Sequence, residues 1–178
     1  VMNNRNGALY NTALAFDRVG ALVGSYDKTH LFSPMGEDRR FQKGDHLTRF
    51  SFDGVSCGVI ICYDLRFPEL IRTLALPGLD VLFIVSQWPY VRLNHLSILT
   101  RARAIENQIF AVLCNSCGKA GDTQYGGHSA LVDPYGNILA QAQETETILT
   151  GELDLNVLAA IRSSIPVFAD RRPELYQY

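Results

Sequence analysis

Cys62 is the residue whose setting most favours covalent chemistry. It closes the apolar run at residues 55–62 and is followed by Tyr63-Asp64-Leu65-Arg66-Phe67, before Pro68 opens a helical pattern. A strand-to-helix turn puts a side chain at the carboxyl end of a sheet, where sites form. It also leaves backbone N–H groups nearby, such as that of Tyr63, to receive an oxyanion. A thiolate attacks an acyl carbon and splits one hard step into two, and its formation calls for neighbouring positive charge. The other reading is an inert, buried thiol, and position alone leaves both open.

Other reactive types are less distinctive taken singly. Lys28, in Tyr26-Asp27-Lys28-Thr29-His30-Leu31-Phe32, reads as a solvated side chain, and Glu37 as an ordinary loop carboxylate. Asp64 and Arg66 read as an ion pair holding the turn. His30 reads as a hydrogen-bonding neighbour of the lysine. His128, after two glycines, reads either as a pocket residue or as part of the loop. A Cys–His hydrolase using His30 or His128 would need one of them within hydrogen-bond reach of Cys62. Cys114-x-x-Cys117 has metal or redox spacing but no second pair, so no metal site is expected.

The elements that must position these groups follow from periodicity. Residues 9–16 and 21–26 read as two strands around a turn at 17–20, and 47–52 as an edge strand. Residues 55–62, 81–85 and 109–114 read as buried strands. Residues 68–76 and 96–107 read as helices between them. A polar, Gly-rich loop is expected over 115–127, a hairpin at 129–132 and 137–140, a strand at 148–153 and a short helix at 155–161. Strand–helix–strand–helix–strand argues for parallel pairing, with hairpins adding antiparallel strands: a mixed α/β sheet.

Composition bounds the function. A net charge of −2 gives no electrostatic footprint for nucleic acid or an anionic membrane. No apolar run reaches the ~20 residues that span a bilayer. No Gly-rich phosphate loop appears, so no nucleotide cofactor is expected. Four cysteines in a chain with 47% hydrophobic residues read as reduced thiols in a cytoplasmic protein rather than a disulfide framework. The start, Val1-Met2-Asn3, reads as a chain entered partway through.

Several motifs occur together and in order. They are Tyr26-Asp-Lys28-Thr-His30-Leu-Phe32, Glu37-x-x-x-Phe41-x-x-Gly44 and Cys62-Tyr-Asp-Leu-Arg-Phe-Pro-Glu-Leu70. Trp88-Pro89, Ala102-Arg-Ala-Ile-Glu-Asn-Gln108, Asn115 with Gly118, Gly127-His-Ser129 and Asp133-Pro-x-Gly136 follow. This set resembles the nitrilase superfamily of carbon–nitrogen hydrolases over nearly the whole chain. The run from Trp88 to His95 is similar to the ω-amidase branch, which hydrolyses short α-keto acid monoamides.

The resemblance implies a four-layer αββα sandwich, here lacking its N-terminal elements, in a single domain over 1–178 with 164–178 as a possible C-terminal arm. It implies Cys62 as nucleophile, Lys28 as oxyanion stabiliser, Glu37 as supporting carboxylate and the Tyr63 N–H as oxyanion donor. It also implies a triad glutamate N-terminal to Val1. Trp88, Arg92, His95 and His128 are the expected substrate contacts, with Arg92 placed to meet a substrate carboxylate. The expected partners are a small amide and further copies of the chain, as a dimer or larger oligomer. No cofactor is expected. The alternative is a catalytically inactive scaffold of the same ancestry.

Overall fold

The computed structural model describes residues 1–176. Two sheets face each other. The smaller is antiparallel, in the order β1 (Met2–Arg5), β2 (Ala8–Phe16), β3 (Leu22–Asp27). The larger has six strands: β11 (Ile138–Gln141), β10 (Ala130–Val132), β7 (Phe110–Asn115), β6 (Val81–Ser86), β5 (Val55–Ile61) and β4 (Arg49–Phe52). Its centre, β5–β6–β7, is parallel, and β4, β10 and β11 pair antiparallel at the sides.

The parallel centre follows from the crossovers. Helix α1 (Pro68–Ala75) links β5 to β6, and α2 (Leu93–Asn107) links β6 to β7. Strands β5–β7 are apolar on both faces because both are covered. Ile60, Leu82, Ile84, Ala111 and Leu113 point toward α1 and α2, where they meet Leu70, Ile71, Leu74 and Leu96. The alternate residues Cys57, Val59, Ile61, Val81 and Phe110 point to the smaller sheet and meet Tyr26, Ala13, Ala15 and Val23. Leu158 of α3 (Asn156–Ser164) joins this inner layer against Val81 and Phe110. Each fully buried aliphatic or aromatic side chain contributes about 1.5–3 kcal/mol.

Several expectations are corrected. The opening residues, to which the sequence pattern assigns no element, form β1, because the Asn6-Gly7 turn, with both residues at positive φ, folds them back on β2. The expected loop at 115–127 holds a hairpin, β8 (Cys117–Ala120) with β9 (Thr123–Gly126). Its polar composition hid it: this two-stranded ribbon has a mostly exposed surface and needs no apolar alternation. The expected strand at 148–153 does not form. Gly151 passes so close over the β10–β11 face that a Cβ would lie 2.6 Å from Leu131, so the segment crosses the sheet instead of pairing at its edge. Helix α2 begins at Leu93, after a 3₁₀ turn Tyr90–Arg92.

The proposed arm begins where α3 ends. Phe168 packs against the chain's own core beside the Arg72 guanidinium, while Ile165, Leu175 and Tyr176 are exposed. Gln177 and Tyr178 lie outside the described residues.

Candidate active site

Cys62 starts a 3₁₀ turn, Cys62–Arg66, at the carboxyl end of β5. Its φ of +49° is a left-handed conformation that L side chains avoid. Such strain costs on the order of 1–3 kcal/mol and persists only where the surroundings over-determine it. Here the turn is bound from within: the Ile61 N–H donates to Asp64 Oδ2 at 3.0 Å, and the Phe67 N–H to the Asp64 carbonyl at 3.0 Å. The thiol is partly exposed, and its sulfur is 3.9 Å from the Gln87 carbonyl oxygen beyond β6.

Lys28 is not solvated. It follows β3 and is only 3% exposed, with Nζ donating to Glu37 Oε2. Nor is Glu37 a free loop carboxylate. Its Oε2 also accepts the Phe32 N–H at 2.7 Å, and its Oε1 accepts from Asn11 Nδ2 at 2.9 Å. Burial alone would raise the Glu37 carboxyl. The hydrogen bonds from Lys28, Phe32 and Asn11, with the Lys28 charge, more than offset this and hold it below its ordinary value. The Lys28 backbone is fixed from both sides, its N–H to the Asn11 carbonyl and its C=O to the Gly44 N–H, each at 2.9 Å. Gly44 must be glycine there, since a Cβ would stand 2.0 Å from the Asp27 carbonyl oxygen.

Aromatic rings connect the lysine segment to the cysteine turn. His30 stacks on Phe67 at 3.6 Å, and Phe32 and Phe67 meet the edges or faces of Tyr63 at 4.9 and 5.2 Å. The run after β6 supplies the next wall. Trp88 is buried, its N–H donating to Asn115 Oδ1 and its indole Nε1 to the Arg92 carbonyl. The Arg92 guanidinium lies over Phe32, 5.6 Å from the ring centre. Asn115 also donates to the Gly127 carbonyl and so ties this wall to the next loop.

Two readings fail. Asp64 and Arg66 do not pair. The carboxylate turns inward, while the guanidinium lies over the Trp88 ring at 4.8 Å and donates to His95 Nδ1 at 3.3 Å. Arg66 thus comes beside His95 and Trp88, a placement that the sequence pattern did not signal. The Cys–His arrangement is also absent among the described residues: His30 Nδ1 is engaged with Asp64, and His128 Nδ1 with the Gly126 carbonyl at 2.7 Å. His128 lines a cavity of about 310 Å³ between α2 and the β10–β11 hairpin, whose walls include none of Cys62, Lys28 or Glu37. Asn11 was not singled out from the sequence, and only the fold brings it to Glu37.

All four cysteines are free, and no cluster of three potential metal ligands occurs among the described residues. No helix is long and apolar enough to cross a membrane among those residues.

The carbon–nitrogen hydrolase family model matches residues 1–163. This chain belongs to the carbon–nitrogen hydrolase family. A 2-oxoglutaramate amidase of Bacillus subtilis is 44% identical over 97% of this chain, which spans 66% of that relative's length. A 2-oxoglutaramate amidase of Paenarthrobacter nicotinovorans is 40% identical over 94% of this chain and 59% of its own. Among solved structures, Saccharomyces cerevisiae Nit3, a member of branch 10 of the nitrilase superfamily, superposes with a TM-score of 0.86 at 34% identity, covering 93% of this chain and 61% of Nit3. A carbon–nitrogen hydrolase from Helicobacter pylori G27 gives a TM-score of 0.94 at 26% identity, over 99% and 67% of the two chains. The mixed α/β architecture is that of the nitrilase fold.

Proposed function

We propose that the protein is an amidohydrolase of the ω-amidase kind, cleaving a short aliphatic amide whose far end carries a carboxylate. The observation that carries this reading is the buried Lys28–Glu37 pair on the segment packed against the Cys62 turn. A lysine placed beside a carboxylate, out of water, suits stabilisation of developing negative charge.

In this mechanism Cys62 Sγ attacks the amide carbon, its proton passing to a carboxylate base. The tetrahedral oxyanion is received by the Lys28 ammonium and the Tyr63 N–H. Tyr63 lies in the first turn of its 3₁₀ segment, where helical N–H groups lack intrahelical partners. The C–N bond then breaks, and the base returns the proton to the departing amine. Water, activated by the same base, hydrolyses the thioester to the acid and frees the thiol. Glu37 is committed to Lys28, Phe32 and Asn11 and so serves as support. The base is a different carboxylate, and the family resemblance implies a glutamate N-terminal to Val1.

Arg92, Arg66 and His95 at the rim favour an anionic substrate tail, and Trp88 backs the pocket. Reduced free thiols suit a cytoplasmic enzyme, and association into dimers or larger assemblies suits the exposed Ile98 and Ile105 on α2. The test compares 2-oxoglutaramate with a neutral amide of equal length. Arg92→Ala should raise KM for the dicarboxylic monoamide about tenfold or more while leaving the neutral amide nearly unchanged. An equal change for both would overturn the carboxylate contact.

A further inference from the structure

Lys28 and Cys62 make no hydrogen bond to one another among the described residues: the ammonium goes to Glu37 and the thiol to Gln87. Something else must set their relation. The candidate is Asp64, two residues past Cys62 and fully buried.

We propose that Asp64 is a positioning residue whose single carboxylate fixes the lysine segment to the nucleophile turn. It accepts five hydrogen bonds. Oδ2 takes the Ile61 N–H at 3.0 Å and the Tyr26 hydroxyl at 2.8 Å. Oδ1 takes the His30 N–H at 3.0 Å, the His30 ring Nδ1–H at 2.9 Å and the Thr29 hydroxyl at 3.2 Å. The donors thus come from residue 61, next to the cysteine, and from 26, 29 and 30, on both sides of the lysine. An ionised carboxylate is acceptor-only, with about four lone-pair sites, so these five contacts fill it, the 3.2 Å Thr29 contact sharing Oδ1 with the two His30 donors. Charge-assisted bonds of this kind are about twice as strong as neutral ones.

Two further observations agree. Burial, then the Asp64 charge, pushes the Tyr26 hydroxyl well above its ordinary value, so it remains a donor throughout the working range. Among the described residues, the only acidic side chain within salt-bridge distance of His30 is Asp64, and the imidazole is clamped by its stack on Phe67. An amide in place of the carboxylate must turn an N–H toward at least one donor, so Asn cannot reproduce the arrangement although it matches the shape.

This inference rests on the reading of Cys62 as nucleophile and Lys28 as its partner. Its test is the rate of iodoacetamide labelling at each thiol of the intact protein, read by mass spectrometry, with exposed Cys114 as internal reference. In the parent, Cys62 should label faster than Cys114. Asp64→Asn should slow Cys62 about tenfold with Cys114 unchanged, and Tyr26→Phe, which keeps four of the five bonds, about threefold. Lys28→Met should match Asp64→Asn, and the double variant should be no slower than either alone, because Asp64 acts through the lysine. Turnover of 2-oxoglutaramate by Tyr26→Phe should show lowered kcat with KM unchanged. Labelling of buried Cys57 would reveal an unfolded Asp64→Asn, and Tyr26→Phe then decides. Parent-rate labelling of Cys62 in the folded variant, or a double variant slowed by the product of the single effects, overturns the proposal. A parent in which Cys62 labels no faster than Cys114 instead overturns the nucleophile reading on which it rests.

Discussion

At the scale of single residues, Lys28 and Glu37 behave as one unit. Lys28→Ala leaves Glu37 buried with two neutral donors and removes the ammonium from the oxyanion. Turnover should fall at least ~10²-fold, as for other lost oxyanion partners. Near-parental turnover in the folded variant would refute the assignment. The depressed Glu37 carboxyl has a consequence for stability. Its folded-state value lies below the unfolded one, so its contribution is fully present above the ordinary carboxylate range and is lost as pH falls through it. In urea titrations from pH 6 to pH 3, the midpoint of the parent should therefore fall more steeply than that of Glu37→Gln. Parallel midpoints would mean that Glu37 is not linked to folding. Cys57 gives a contrast among the thiols: burial, then Asp80, pushes it up to about 11, so iodoacetamide at pH 8 should leave it unmodified in the folded protein.

At the scale of elements, the site depends on two places where backbone geometry is forced. One is the turn at Cys62, with φ at +49°. Replacing Cys62 with Gly abolishes the nucleophile but relieves the strained conformation, since glycine enters this region without steric cost. Cys62→Gly should match or exceed Cys62→Ala in stability, by about 1 kcal/mol. A less stable Gly variant in urea unfolding would show that the turn is not strained. The other place is the contact of Gly44 with the end of β3. A methyl group there meets the Asp27 carbonyl at 2.0 Å and must displace the strand end that carries Lys28. Gly44→Ala should cost about 1–3 kcal/mol, as overpacking does. Because the same shift moves the ammonium, it should lower kcat more than it raises KM. An active, stable Gly44→Ala protein would show that the loop yields instead.

At the scale of the whole molecule, the smaller sheet covers only part of the larger one. An opening of about 300 Å³ remains between them, with Phe16, Phe52, Phe83 and Val112 in its walls, and Val85 and Cys114 are exposed on the same inner face. Apolar sheet surface left open in this way invites association. The protein should therefore bind a hydrophobic dye and run larger than a monomer in gel filtration. A monomer that binds no dye would mean that this opening is closed in solution.

The sequence by itself determined the strands and helices of the parallel centre, because runs such as 81–85 and 109–114 are apolar on both faces and α1 is amphipathic, whereas the buried face of α2 carries Thr100, Arg103 and Asn107 and leaves Ile98 and Ile105 exposed. It determined the family as well, since a lysine, a glutamate and a cysteine in ordered motifs are chemical features readable without coordinates. Tertiary structure decided what those motifs hold. Burial of Lys28, the commitment of Glu37 to Asn11, and the turn of Asp64 toward His30 rather than Arg66 all join residues distant along the chain. Their energies depend on which surfaces exclude water, and no local spacing encodes that. The same cause explains the misread segments. The strand pattern at 148–153 is genuine as a pattern, but where a chain passes over a sheet face is set by the partner surface, here Leu131 beneath Gly151.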